Sequence, residues 1–295
     1  MPRIADLFLT AAAPAIWGST YYVTTQFLPP GYPLTMAVLR ALPAGLLLLV
    51  LTRQLPERAW LGRVMLLGAF NFAIFWALLF VAAYRLPGGV AATLGSIQAL
   101  MVILLARGLL GTRIRAASVM AALAGVGGVG FMVLEPSAAL DPLGIAAGLG
   151  GAVSMAAGTV LSRKWQPPVS PLTYTAWQLT AGGVLLLPLA LVVEPPLPSL
   201  DQGHIGGLLY LGLLGAAISY AVWFRGIARI EPSAVSMLGM MSPVTAVILG
   251  WLLLDQRLSA MQSFGAAVVL GSVWLGQWAA RQPARIKKPM LRSCS

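Results

Sequence analysis

Long apolar runs dominate the sequence and constrain its fold more than any other feature. Each run has about 20 residues, the length that an α-helix needs to cross the hydrocarbon core of a bilayer. The runs lack the alternating pattern of a membrane β-barrel. The sequence therefore predicts an all-α membrane protein with ten transmembrane helices, at 7–27, 33–52, 64–83, 88–107, 116–134, 143–161, 173–193, 205–224, 233–254 and 262–279.

The few charged residues predict how these helices are oriented. Only 9% of the residues are charged, which is far below the usual share in soluble domains. A net charge of +11 would suggest a nucleic-acid partner in a soluble protein, but 16 of the 19 Lys and Arg residues fall on one side of the predicted membrane. Because basic residues mark cytoplasmic loops, we expect both termini in the cytoplasm and no nucleic-acid partner.

An internal repeat divides the chain. Residues 29–51 and 167–189 align without gaps at an offset of 138, with ten of 23 positions identical, and residues 110–113 match 254–257 at an offset of 144. Each copy holds five predicted helices, and an odd number of crossings requires the second copy to be inverted. Inverted repeats are typical of alternating-access transporters, whose substrate site lies between the copies. The predicted units are a first five-helix repeat at 1–137, a second repeat at 138–280 and a basic cytoplasmic tail at 281–295.

Several motifs carry a resemblance to a known family. They are Ala15-Ile16-Trp17-Gly18-Ser19, Arg40, Pro243 and Gly250-Trp251-Leu252-Leu253-Leu254-Asp255-Gln256-Arg257-Leu258. With the five-plus-five layout, the chain resembles the EamA-type branch of the drug/metabolite transporter superfamily and, within it, the YddG-type bacterial exporters of aromatic amino acids. The resemblance implies a multi-pass protein of the bacterial inner membrane that exports small amphipathic metabolites, with aromatic and other neutral amino acids first.

The chain departs from the family pattern at three positions. Thr112 and Gln256 stand where the family often has Glu, and Ala99 stands where a proline is expected opposite Pro243. No Asp or Glu lies in the middle of any predicted helix, although ion-coupled carriers commonly use such an acid. No nucleotide-binding loop is present. We therefore expect transport without ATP and without carboxylate-based ion coupling.

Catalysis has little support in the sequence. One Cys and one His exclude a disulfide framework and a Cys/His zinc site, so we expect neither an enzyme nor a cofactor. The expected partners are a small-molecule substrate and the lipid bilayer, for a monomer or a homodimer. Three other classes stay open: a lipid or lipid-carrier flippase of the same fold, a membrane enzyme and a passive channel.

Candidate substrate-binding residues are of three kinds: polar residues near the centres of helices, deep aromatic residues and flexible methionines. Aromatic walls with methionine linings suit a flat apolar substrate. The candidates are Trp17, Tyr21, Arg40, Asn71, Phe75, Gln98, Met101, Ser154, Tyr220, Met237, Met241 and Ser242. Helix–helix hydrogen bonding or core packing is the alternative role for each of them.

Two candidates have sharper expectations. Arg40 is the only ionisable residue well inside a predicted helix, and it aligns with Gln178 in the repeat. It is either a clamp for a carboxylate or phosphate, or a structural residue that ties helices together. Pro243 is predicted to act in gating, because a proline leaves the carbonyl one turn back without its usual donor.

Overall fold

The computed structural model describes residues 4–85, 94–133, 141–253 and 259–281, and the regular elements in these ranges are all helical. In chain order they are α1 (Ile4–Phe27), α2 (Pro33–Thr52), α3 (Arg58–Gly68), α4 (Ile74–Arg85), α5 (Gln98–Leu110), α6 (Ala116–Val133), α7 (Pro142–Lys164), α8 (Pro171–Val193), α9 (Gln202–Gly212), α10 (Ser219–Arg229), α11 (Pro232–Leu238), α12 (Met241–Leu253) and α13 (Ala260–Arg281). Two π-helical turns, Ala69–Ala73 and Leu213–Ile218, join α3 to α4 and α9 to α10.

Seven helical stretches, three of which join consecutive elements, are long and apolar enough to cross a membrane. Their bounds are Pro33–Thr52, Arg58–Leu79, Pro142–Lys164, Pro171–Val193, Gln202–Arg229, Pro232–Leu253 and Ala260–Ala280, and two shorter apolar helices span Leu94–Leu110 and Ala116–Phe131. The all-α membrane class is therefore confirmed. The count of ten helices and the position of the termini stay predictions, and the tail at 281–295 lies almost wholly outside the described residues.

A proline motif, Pro29-Pro30-x-x-Pro33 in the first repeat and Pro167-Pro168-x-x-Pro171 in the second, explains where two helices begin. Its third proline is the first helical residue of both α2 and α8, at Pro33 and Pro171. Proline suits this position because its fixed φ is already helical and its missing N–H would have no intrahelical acceptor there. The side chain of Ser170 caps α8 by accepting a hydrogen bond from the backbone N–H of Thr173 at 3.1 Å.

The helices α2 and α8 cross closely near the centre of the molecule. A Cβ on Gly45 would lie 2.5 Å from the backbone nitrogen of Thr180, and one on Gly183 would lie 2.8 Å from Cβ of Leu42. Small residues allow such close approach of two membrane helices. The carboxylate of Glu194 holds the start of α2 by accepting from two backbone N–H groups, at 2.6 and 2.7 Å.

Two other pairs of helices also cross closely. In the α6–α13 pair, a Cβ on Gly128 would lie 2.9 Å from Cγ2 of Val269. In the α1–α12 pair, a Cβ on Gly18 would lie 2.4 Å from the carbonyl oxygen of Ser242. Glycine is needed at both positions because any side chain would force the helices apart.

The helix is interrupted between α11 and α12, two residues before Pro243. Gly239 and Met240 form a turn, and the N–H of Ser242 donates to the carbonyl of Gly239 at 3.1 Å. That carbonyl is one turn before Pro243, so the expectation that the proline leaves it unpaired is wrong. A tighter hydrogen bond replaces the missing one, which is a common solution at a helix break.

Candidate functional site

A cluster of five aromatic side chains joins three parts of the fold. It contains Trp17 of α1, Phe72 and Trp76 around the first π turn, and Tyr220 and Trp223 of α10. The ring centroid of Tyr220 lies 4.6 Å from that of Trp17 and 4.7 Å from that of Phe72. These separations are typical of favourable ring contacts. Four of the rings are buried and Trp17 is half-buried, so Trp17 presents the open edge of this aromatic cluster.

The motif that begins at Ala15 places three consecutive residues against three different partners. The indole N–H of Trp17 donates to Oγ of Ser219 at 2.9 Å, Gly18 lies against α12, and Oγ of Ser19 lies 2.7 Å from the hydroxyl of Tyr210. The motif therefore fixes α1 against α9, α10 and α12. It positions the open edge of the aromatic cluster rather than forming a pocket by itself.

Arg40 reaches from α2 to the second π turn. Its Nη2 donates to the carbonyl of Gly215 at 2.5 Å, and its guanidinium carbon lies 5.2 Å from the ring centroid of Trp76. A π turn leaves carbonyls out of the regular helical pattern and so offers an acceptor. Arg40 is half-buried, its Nε is buried without a hydrogen-bond partner, and no described carboxylate pairs with it.

Two polar candidates make hydrogen bonds between helices, although Oδ1 of Asn71 is buried without a partner. Nδ2 of Asn71 donates to Oε1 of Gln178 at 2.7 Å and to Oγ of Ser162 at 3.1 Å. The hydroxyl of Ser154 donates to the carbonyl of Phe70 at 2.9 Å. Asn71 and Ser154 are both buried, so in this conformation they tie helices together and do not reach a ligand.

The candidates on α5 and α12 differ in exposure. Gln98 and Ser242 are half-buried at the starts of their helices, and the side chain of Gln98 makes no hydrogen bond within the described ranges. Met237 is buried and packs with Ala99 and Met240, so α11 and α5 contact each other directly.

Half-burial separates candidates that could contact a ligand from those that could not in this conformation. The half-buried candidates are Trp17, Arg40, Phe75, Gln98, Met101, Met241, Ser242 and Pro243, whereas Asn71, Ser154, Tyr220 and Met237 are buried. The backbone of Tyr21 belongs to α1, and its side chain lies outside what the structure describes. Substrate binding by all twelve stays a prediction.

Phe72, Ser219 and Gly215 are site residues that sequence reasoning missed. A π turn adds a residue to one helical turn and rotates the residues that follow it. Depth in the predicted helix selects Phe75, but the rings that face Tyr220 and Arg40 belong to Phe72 and Trp76. The repeat offset of 144 was the available signal, since it relates the first residues of the two π turns, Ala69 and Leu213.

Ionic contacts join helix ends on the arginine-rich face. Oδ1 of Asp6 lies 2.7 Å from Nη2 of Arg225 and 3.2 Å from Nη1 of Arg229. Burial acts to raise the pKa of the Asp6 carboxyl, which precedes the predicted span, but the two guanidiniums outweigh it and hold the pKa below its usual range. Arg115 pairs with Glu231 at 2.6 Å.

Two clefts have no residue of the aromatic cluster in their linings. One, of 260 Å³, is apolar and is lined by Leu39, Pro43, Ala44, Leu47, Ile205, Leu208, Leu209, Gly212 and Leu213. The other, of 430 Å³, is lined by Thr52, Gln54, Pro168, Val169, Ser170 and Thr173. No candidate residue lines either cleft. Within the described part of the chain, no three His, Cys, Asp or Glu side chains come together as metal ligands.

Known proteins resemble this chain along most of its length. Protein PecM of Dickeya dadantii (strain 3937) is 43% identical over 267 residues, covering 90% of each chain. The inner membrane transporter YedA of Escherichia coli (strain K12) is 29% identical and covers 93% of this chain and 90% of its own. A protein named "Probable amino-acid metabolite efflux pump" from the same strain is 24% identical and covers 96% of this chain and 98% of its own.

A structural comparison and a family profile agree with these sequence similarities. A solved crystal structure with 20% identity matches the fold with a TM-score of 0.80, covering 95% of this chain and 99% of its own. The sequence profile of the EamA-like transporter family matches residues 4–134 and 142–276. The profile thus accounts for both halves of the chain, and the resemblance carried by the motifs around Trp17 and Pro243 is confirmed. The chain belongs to the EamA-like transporter family.

Proposed function

We propose that this protein is a secondary transporter of the bacterial inner membrane that exports small amphipathic metabolites, with aromatic and other neutral amino acids first. The observation that carries the proposal is the family match to both halves, 4–134 and 142–276. The names of YedA and of the amino-acid metabolite efflux pump support the membrane and the substrate class. The half-buried ring of Trp17, backed by four buried aromatic rings, offers a flat apolar surface to such a substrate.

Two inverted repeats, at 1–137 and 138–280, form the framework of the proposed alternating access. The contacts across the α2–α8 crossing support this division, because Gly45 packs on Thr180 and Leu42 packs on Gly183. Each residue of the first contact is related to one of the second by the sequence offset of 138. Paired contacts of this kind are expected when a pseudo-two-fold axis passes through the crossing.

The conformation is proposed to be closed on the cytoplasmic side. Nη1 of Arg163, at the end of α7, donates to the carbonyl of Ile227 at 2.8 Å and also to the carbonyl of Ala228, at the end of α10. The pair of Arg115 and Glu231 adds a second link on the same face. A cation at a helix C-terminus is favourable because it compensates the helix dipole. Breaking these links would let the cytoplasmic ends separate while Pro243 and the π turns absorb the movement.

Ion coupling through a buried acid is not part of the proposal. Every acid in the described residues lies at a helix end: Asp6, Glu57, Asp141, Glu194, Asp201 and Glu231. A carboxylate that binds and releases a proton or sodium ion during transport is expected near the middle of the membrane. We therefore expect exchange or facilitated transport.

Counterflow in liposomes tests the proposal. Purified protein should exchange labelled tryptophan or phenylalanine without ATP and without an imposed ion gradient. Gln98→Leu and Ser242→Leu should each lower the rate by about tenfold or more, because a bulky apolar group replaces a half-buried polar one. Val50→Leu on α2, where Val50 is 69% exposed, is the matched control and should leave the rate unchanged.

Other results would assign a different function. Strict dependence on a proton gradient contradicts uncoupled transport, and unchanged rates in both variants remove Gln98 and Ser242 from the site. The apolar cleft between α2 and α9 favours a lipid flippase as the second candidate, because an acyl chain could lie along it. Scrambling of a labelled phospholipid, with no amino-acid counterflow, would establish that alternative.

A further inference from the structure

The environment of Arg40 contains a cation without a compensating anion. Its described polar partner is the carbonyl of Gly215, and its guanidinium lies over the face of Trp76. Neither group removes the positive charge. A cation at this depth in a membrane protein is costly unless an opposite charge pairs with it or water reaches it. The residue is half-buried, and its Nε is a buried donor that no described acceptor satisfies, so an anion would supply the missing acceptor.

The surroundings of Arg40 also show which anion fits. One guanidinium carries a single positive charge, which a carboxylate neutralises, whereas a phosphate monoester carries a charge of about −1.5 to −2 and leaves an excess. The carboxylate geometry also matches the paired N–H donors of a guanidinium. The described acids all lie at helix ends, so none of them is placed to pair with a substrate ammonium group.

We propose that the preferred substrates are aromatic monocarboxylates whose carboxylate binds the guanidinium of Arg40 while the ring lies against Trp17. This inference rests on the proposed transport function and revises the order of its substrates, because it places aromatic monocarboxylates ahead of the amino acids. An aromatic monocarboxylate forms a neutral pair with Arg40. An amino acid leaves its ammonium charge uncompensated, and an aromatic amine brings a second cation next to Arg40. The order of affinity is therefore carboxylate, then amino acid, then amine.

Three ligands with one ring and one chain length test this order. Indole-3-propionate, tryptophan and tryptamine differ only in which charged groups they carry. Each is added to purified protein in detergent, and the thermal unfolding temperature is measured, because a ligand that binds only the folded state stabilises it. Indole-3-propionate should bind about tenfold or more tightly than tryptamine, with tryptophan between them.

Variants of Arg40 separate the effect of its charge on ligand binding from its effect on folding. Arg40→Gln, which copies the aligned residue Gln178, should abolish the preference for indole-3-propionate, and Arg40→Lys should retain part of it. Arg85→Gln is the matched control, since it removes one positive charge at an exposed pair with Asp141 and should leave the order unchanged. Equal stabilisation by all three ligands, or an unchanged order in a folded Arg40→Gln variant, overturns the inference.

Counterflow of the same ligands in liposomes distinguishes this inference from the transport proposal. Tryptophan exchange with no preference for indole-3-propionate leaves the transport proposal standing and removes the role of Arg40. Binding in the predicted order without any exchange supports the role of Arg40 and contradicts the transport proposal. Stronger stabilisation by phenyl phosphate than by indole-3-propionate would contradict the choice of a carboxylate.

Discussion

Two polar contacts occupy equivalent places in the two halves of the molecule but differ in charge and exposure. In one, Arg40 of α2 donates to the carbonyl of Gly215 in the second π turn at 2.5 Å. In the other, Asn71 in the first π turn donates to Gln178 of α8 at 2.7 Å. Positions 40 and 178 differ by the offset of 138, and positions 71 and 215 differ by the offset of 144.

The difference shows how one architecture can hold either a structural tie or a binding group. Gln178 is fully buried and Asn71 supplies a side chain that fills the space beside it. Gly215 has no side chain, and a Cβ there would lie 3.3 Å from Nη2 of Arg40, so the missing side chain leaves room for the guanidinium. The neutral contact between Asn71 and Gln178 is therefore buried, and we call it the closed contact. The guanidinium contact of Arg40 with Gly215 belongs to a half-buried side chain.

The largest expected effect comes from placing a cation in the closed contact. Gln178→Arg would bury a guanidinium with no counter-ion and no open side, which costs about 3–5 kcal/mol of stability. The protein should lose its folded, monodisperse form in detergent, as measured by size-exclusion chromatography and by unfolding in denaturing detergent.

The control for this prediction uses the contact between Arg40 and Gly215. Adding Asn71→Gly to Gln178→Arg copies the arrangement of Arg40 and Gly215 and should restore part of the stability. A Gln178→Arg variant as stable as the unmodified protein would show that the closed contact accepts a charge, and the distinction between the two halves would then be lost.

A smaller effect is expected when the closed contact loses one partner. Asn71→Leu keeps the approximate shape of the side chain but leaves the buried amide of Gln178 without its hydrogen bond. An unsatisfied buried polar group costs about 1–3 kcal/mol, and a shift of the unfolding midpoint would measure it.

The double variant Asn71→Leu with Gln178→Leu tests the cause of that loss. Replacing both partners by apolar groups removes the unsatisfied amide, so most of the lost stability should return. If the double variant is less stable than Asn71→Leu alone, packing around Gln178 is the main contribution and the hydrogen bond is secondary.

Much of this fold could be predicted from the sequence because its main determinants are local. Apolar runs of membrane length become helices wherever backbone polar groups must be satisfied inside the bilayer, and the described helices follow those runs. The predicted start of α2 at Pro33 matches the structure, and α8 begins at Pro171, two residues before its predicted start. The repeat offset correctly aligned Arg40 with the residue that makes the corresponding contact, Gln178.

The details of the candidate site could not be predicted in the same way, because they depend on departures from regular helix geometry. The first π turn adds a residue to its helix, and the ring of this segment that contacts Tyr220 belongs to Phe72, which depth in the predicted helix did not select. The break before Pro243 satisfies a carbonyl that a continuous helix would have left unpaired. Half-burial of Gln98 and full burial of Met237 follow from helix packing, which a single sequence does not encode locally.

The smallest expected effect concerns the second hydrogen bond of the closed contact. Ser162→Ala removes the hydroxyl that accepts from Nδ2 of Asn71 at 3.1 Å, while the shorter bond to Gln178 remains. Its loss should lower the free energy of unfolding by about 0.5–1.5 kcal/mol. Ser118→Ala is the matched control, because Ser118 is also a buried helical serine but its Oγ has no hydrogen-bond partner, so its removal should cost nothing. Equal losses in the two variants would show that Ser162 contributes through packing alone. The closed contact would then depend on the single bond between Asn71 and Gln178, which is as many side-chain hydrogen bonds as Arg40 makes in the other half.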